Sequence, residues 1–261
     1  MNYEEIQPNR ELRAYARTQL NGFWGAMAFT FFIYVLLYIP YYVFSILNSI
    51  LDSIDKYDFL AVPYYMILNL IDMDMSDIEI IIRVINIILS LAMGLAAGPF
   101  ALGFAGYFLK RVRGQEIATK NIFDGFHLFL KSFLVQFFTQ LLVALWTLLL
   151  IIPGIVKALS YSMAFYIMYD NPGIESLEAI RRSKIMMKGY KWKLFLLYLS
   201  FFGWMILASI PLGIGFLWLF PYMNLTIANF YENLKKHQEN NQPTNPVTNQ
   251  TKPPIDLFQS T

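Results

Sequence analysis

Residues 194–231 run for 38 positions without an Asp, Glu, Lys or Arg, and six basic side chains stand at 181–193 just before them. About 20 apolar residues suffice to carry a helix across the hydrocarbon core of a bilayer. The run is therefore long enough to cross twice, and Pro211, Gly213 and Gly215 at its middle provide the turn. The pattern predicts a helical hairpin with arms at 194–212 and 213–231, each about 28 Å long at 1.5 Å per residue. The basic flank predicts that its open end faces the cytoplasm, because cytoplasmic segments carry the excess of Lys and Arg.

The rest of the chain fits that environment. Hydrophobic residues make up 57% and charged residues 15% of 261 positions, against about 45–50% and about 25% in soluble domains. A formal charge of +2 gives no general attraction to polyanions, so nucleic acid is not expected as a partner. There is no cysteine, and the two histidines, His127 and His237, stand far apart. Neither a metal site nor a cofactor is expected from such a set. Positions 1–20 contain Glu4, Glu5, Glu11 and three arginines, which does not fit a cleavable leader, so the first apolar run is expected to be retained.

In chain order, Asn9 is a candidate cap for a short amphipathic helix within 1–21. Leu12, Tyr15, Ala16 and Leu20 fall on one face and Arg10, Arg13 and Arg17 on another. Residues 23–47 predict the first span, with Pro40 as a kink or outer end. Residues 52–79 hold seven carboxylates and one lysine and predict an outside loop, within which 59–71 forms an interfacial or re-entrant segment. The second span is predicted at 84–109. Its Gly94 and Gly98 form a GxxxG pair suited to close packing within the chain, and Gly98-Pro99 marks a kink.

Residues 110–131 are basic and return to the inside, which predicts a third span at 132–152 ended by Pro153-Gly154. Gln136, Thr139 and Gln140 share one face of it, a polar strip for packing against another helix. A short fourth span at 155–169 is needed so that the next basic stretch is again inside. Lys157 near its start is tolerable if it reaches outward. Asn171-Pro172 predicts a helix start and Gly189 its stop. Asn224 and Asn229 add polar packing groups to the last span, and 235–261 predicts a disordered cytoplasmic tail.

The expected architecture is all-α: an integral membrane domain at 22–234 with about six transmembrane helices in three hairpins, plus short interfacial helices. Arg181, Arg182, Lys184, Lys188, Lys191 and Lys193 are the candidate contacts for anionic lipid or a membrane partner, since each basic side chain near an anionic leaflet contributes about 1 kcal/mol. No paired nucleophile, acid or base is visible, so no catalytic residue is assigned and an enzyme is not expected. An accessory or scaffold protein of the cell membrane, with both termini cytoplasmic, is the first expectation. A small transporter or exporter component is the alternative, motivated by the polar strip and by helices broken at Pro99 and Pro221; the lack of acidic residues deep in the spans weighs against it.

Several short patterns, taken together, resemble a family of bacterial integral membrane proteins catalogued as domain of unknown function 975. They are the arginine-bearing first helix leading to Trp24, then Ile152-Pro153-Gly154-Ile155, then residues 179–183 followed by Met187-Lys188-Gly189-Tyr190-Lys191. Trp204, Pro221-Tyr222 and Phe230-Tyr231-Glu232-Asn233-Leu234 complete the set, which runs over about residues 12–234. The resemblance implies a multi-pass helical protein without an assigned activity. More distantly the chain is similar to the membrane-anchor domains of glycerophosphodiester phosphodiesterases, which implies a lipid-linked context without the phosphodiesterase itself. A weak internal repeat is also visible: Ile152-Pro153-Gly154 matches Ile210-Pro211-Leu212-Gly213, and Tyr169-Asp170-Asn171 echoes Tyr231-Glu232-Asn233.

Overall fold

The computed structural model describes residues 6–56 and 75–241, with side chains over 6–50 and 80–241. Most of the acidic segment, the apolar run at 59–71 and the tail beyond 241 lie outside the described residues. The described residues are helical and contain no strand. They form α1 (Asn9–Leu20), α2 (Trp24–Lys56), α3 (Met75–Val112), a 3-10 segment (Thr119–Leu128), α4 (Phe129–Leu149) and α5 (Ile151–Tyr161). These are followed by α6 (Ala164–Asp170), α7 (Ser176–Met186), α8 (Lys191–Ser209) and α9 (Phe216–Asn240).

Five stretches are long and apolar enough to cross a membrane: Trp24–Ile50, Ile80–Val112, Thr119–Leu149, Ile151–Asp170 and Lys191–Ser209. The sixth expected span is α9, which is the centre of the bundle. It packs against α1, α2, α3 and α8, and every residue from Leu225 to Leu234 is buried. An interior helix meets protein on most sides, so it can carry Asn224, Thr226, Asn229 and Glu232 without presenting them to lipid. The outer helices do the reverse. Ile87, Leu91, Leu199, Trp204 and Leu148 are exposed, as expected of side chains that stay apolar because their solvent is hydrocarbon.

Small residues on α3 set the closest approaches. A Cβ at Gly98 would come within 2.8 Å of Phe133 Cα at the start of α4, whereas Gly94 faces open space. The GxxxG pair thus serves packing within the chain through one of its two members. Helix α3 passes through Pro99, and α9 through Pro221. Both prolines lie inside continuous helices, contrary to the expectation that they break them.

The turn of the second hairpin falls earlier than expected. Leu150 is extended (φ −159, ψ 140), α4 ends at Leu149, and Pro153 and Gly154 belong to the first turn of α5. Proline is tolerated in a first turn, where its missing N–H would have had no partner. Gly154 then lets α5 lie against Thr147 of α4. With α6, the fourth span becomes the 20-residue stretch Ile151–Asp170, enough for a bilayer core. Lys157 places its ammonium 4.4 Å from the Trp146 ring centroid.

Two predicted caps have other roles. Asn9 is the first helical residue of α1, and its Nδ2 donates to the carbonyl of Lys193 at 3.0 Å. Asn171 ends α6 by donating to Ile167, and α7 starts only at Ser176. Helix α9 also runs past Leu234 to Asn240, six residues into the expected tail.

Candidate functional site: the basic end of the bundle

The described parts of the segments expected on one side of the membrane meet at one end of the bundle. Helix α1 turns Leu12, Ala16 and Leu20 into the protein, fully buried, and leaves Tyr15 outside. It is bound to α9 by the Gln7 N–H donating to Asn233 Oδ1 at 3.1 Å, and by Asn229 Nδ2 donating to Gln19 Oε1 at 2.7 Å. It is bound to the end of α3 by Arg111, whose guanidinium donates to the Gln19 carbonyl and lies 3.6 Å from the Phe23 ring centroid. Lys131 at the start of α4 donates to the Gly173 carbonyl at 3.2 Å, while Ser176 Oγ donates back to the Lys131 carbonyl at 2.9 Å.

The strongest electrostatic feature there is centred on Arg113, just past α3. Its guanidinium donates to both carboxylate oxygens of Asp170, at 2.8 and 3.0 Å, and to Glu232 Oε2 at 2.9 and 3.1 Å. Asp170 also accepts from Lys235 Nζ at 2.7 Å and from the Tyr231 hydroxyl at 2.9 Å. Lys236 lies 3.5 Å from Glu232. The side chains of Asp170 and Glu232 are only 7% and 10% exposed, so their charges need these partners. The Asp170 bonds hold the Arg113 guanidinium above its ordinary pKa, and it stays charged. The knot ties the ends of α3, α6 and α9 together and is fully occupied by its own members.

The six predicted basic contacts separate into three groups. Arg181 and Arg182 both pair with Glu178 on the exposed face of α7. Their hydrogen bonds, those of Arg181 first, bring the Glu178 carboxyl down to about 2. Lys193 turns away from the surface and donates to the Ile6 carbonyl at 2.7 Å, fixing the segment that leads into α1. Lys184 and Lys188 are exposed and Lys191 is half-buried, and none of the three has a partner among the described residues.

Of the predicted intramembrane polar groups, only Asn229 bridges two helices. Asn224 Nδ2 donates within its own helix to the Phe220 carbonyl at 2.9 Å. Thr139 Oγ1 is buried without a hydrogen-bond partner. Gln136 is half-buried and Gln140 exposed, and neither side chain is hydrogen-bonded among the described residues. The strip does not form the hydrogen-bonded seam expected of it.

The Arg113 knot was missed in the sequence, because Arg113, Asp170 and Glu232 are separated by 57 and 62 positions. A usable signal was present in the echo of Tyr169-Asp170-Asn171 by Tyr231-Glu232-Asn233. The acidic members of both triplets converge on the same arginine, and Tyr231 stacks on Tyr166 with ring centroids 5.2 Å apart.

Five apolar spans, an interior polar helix and one charged end define an all-α polytopic membrane protein. Residues 147–238, from the end of α4 through most of α9, match the family described as Protein of unknown function (DUF975). This agrees with the resemblance over the C-terminal part of the chain and leaves Arg113 outside the matched region. No curated protein and no solved structure matches the chain.

Proposed function

We propose that this chain is a non-catalytic multi-pass protein of the cell membrane with both termini in the cytoplasm. It acts as an accessory or scaffold protein whose basic end contacts anionic lipid headgroups or an acidic segment of a membrane partner. The observation that carries this reading is the gathering of the basic segments at one end, with Lys184, Lys188 and Lys191 left there without partners among the described residues. Cations at an anionic leaflet gain about 1 kcal/mol each, and the same bias places that end inside.

The chain has no cysteine, so single cysteines can report topology without background. Lys184→Cys is expected to react with an impermeant maleimide only from the cytoplasmic side, and Leu212→Cys, at the exposed tip of the α8–α9 turn, only from outside. The opposite labelling would overturn the orientation. Neutralising Lys184, Lys188 and Lys191 together should lower the amount of phosphatidylglycerol retained relative to phosphatidylcholine in lipid mass spectrometry. Unchanged retention would remove the lipid-contact role.

A further inference from the structure

A groove of about 360 Å³ opens on the bundle surface between α8 and α9, beside the start of α2. That volume lies in the range of small-molecule sites, about 300–1,000 Å³. Its walls are apolar, and three of the five tryptophans of the chain, Trp24, Trp204 and Trp218, line it. The far end closes where Gly215 lies against Ala208, so closely that a Cβ there would come within 2.6 Å of the Ala208 Cα. From Gly215 to Tyr222 is seven residues along α9, so the groove is about 10 Å deep at 1.5 Å per residue.

The near end carries a cation. Arg17 Nε donates to the Tyr222 hydroxyl at 3.1 Å, and the guanidinium sits 5.7 Å from the Tyr222 ring centroid. The Tyr222 ring is wedged in turn between Trp24, at 6.4 Å, and Phe201, at 5.2 Å. Among the described residues no carboxylate pairs with Arg17, and its two Nη groups carry no hydrogen bond. It differs in this from Arg113, Arg181 and Arg182, each of which has an acidic partner. Tyr222 thus anchors a guanidinium at the mouth of an apolar slot and leaves its outer donors open.

We infer that this groove binds a single acyl chain of an anionic phospholipid, with the chain against the three tryptophans and the headgroup phosphate on Arg17. The apolar slot and the unpaired cation are complementary to the two ends of one molecule. The mouth is continuous with outer faces on which Trp204 and Trp218 are already half exposed, so the bilayer itself delivers the ligand. The inference rests on the proposal that the chain resides in a bilayer, but it concerns a different surface from Lys184, Lys188 and Lys191.

The test uses the full chain carrying Trp146→Phe and Trp192→Phe, so that the remaining tryptophans are those of the groove. It is reconstituted in phosphatidylcholine vesicles with a minor fraction of lipid brominated on its acyl chains. Brominated phosphatidylglycerol is expected to quench more strongly than brominated phosphatidylcholine. Arg17→Gln should weaken that preference about fivefold, the equivalent of losing one interfacial cation, while Arg17→Lys keeps most of it. Equal quenching by the two lipids, or a preference untouched by Arg17→Gln, would overturn the groove and leave the α7 surface standing. Absence of quenching by either lipid in a folded sample would overturn the bilayer placement and the groove together.

Discussion

Replacing Arg113 with glutamine tests whether the charged end is held by one knot. Loss of a partner from a buried ion pair costs about 3–5 kcal/mol. Here the Arg113 side chain is 28% exposed, Asp170 keeps Lys235 and Tyr231, and Glu232 keeps Lys236. The expected loss is therefore lower, about 2 kcal/mol, with most of it arising from the poorly solvated Glu232 and Asp170 carboxylates. Unfolding by a graded anionic detergent in neutral micelles would measure it, followed by α-helical circular dichroism. A double-mutant cycle of Arg113→Gln with Asp170→Asn should return a coupling of about 1–2 kcal/mol. The same cycle on Arg181 and Glu178 should return a smaller coupling, because that pair is open to solvent and Glu178 keeps Arg182. The reasoning fails if Arg113→Gln is neutral, or if the exposed pair couples as strongly as the buried one.

Other outcomes follow from the same contacts. Gly98→Leu should destabilise the bundle by about 3 kcal/mol, because the new side chain meets the α4 backbone; Gly94→Leu should change it by about 0.5 kcal/mol or less, and thermal unfolding in detergent compares the two. Lys193→Met removes the tie to the Ile6 carbonyl, so hydrogen exchange at residues 9–12 should speed up about fivefold, the effect of one hydrogen bond of about 1 kcal/mol. The Glu178 carboxyl is held at about 2, below its ordinary 4.5. Its pairing with Arg181 and Arg182 is therefore complete above pH 4.5 and lost as pH falls through about 2, which a carbon-detected titration of labelled glutamate would show. Glu178→Gln releases both arginines at neutral pH and should raise phosphatidylglycerol retention; a fall would contradict the pairing.

The sequence by itself determined the all-α, multi-pass character and five of the six expected spans, because a membrane span is a local property: about 20 residues without charge identify one wherever its neighbours lie. The basic stretches also indicated which segments share an end, and contacts such as Gln7–Asn233, Arg111–Gln19 and Lys131–Gly173 bring those segments together. Cap and turn residues were less reliable. Asn9, Asn171 and Pro153 each have the chemistry of a helix boundary, yet Asn9 bonds to α8, Asn171 closes the preceding helix and Pro153 sits within a first turn. Local propensity is worth about 1 kcal/mol, so a tertiary contact can outweigh it. Only the tertiary structure decided that α9 is the interior helix, that Asp170 and Glu232 share Arg113, and that Arg17 stands over the groove between α8 and α9. Each depends on residues far apart in the chain brought within a few ångströms, and the strength of such a contact comes from the burial around it. Hydropathy and charge along a sequence do not record which face of a helix meets which neighbour.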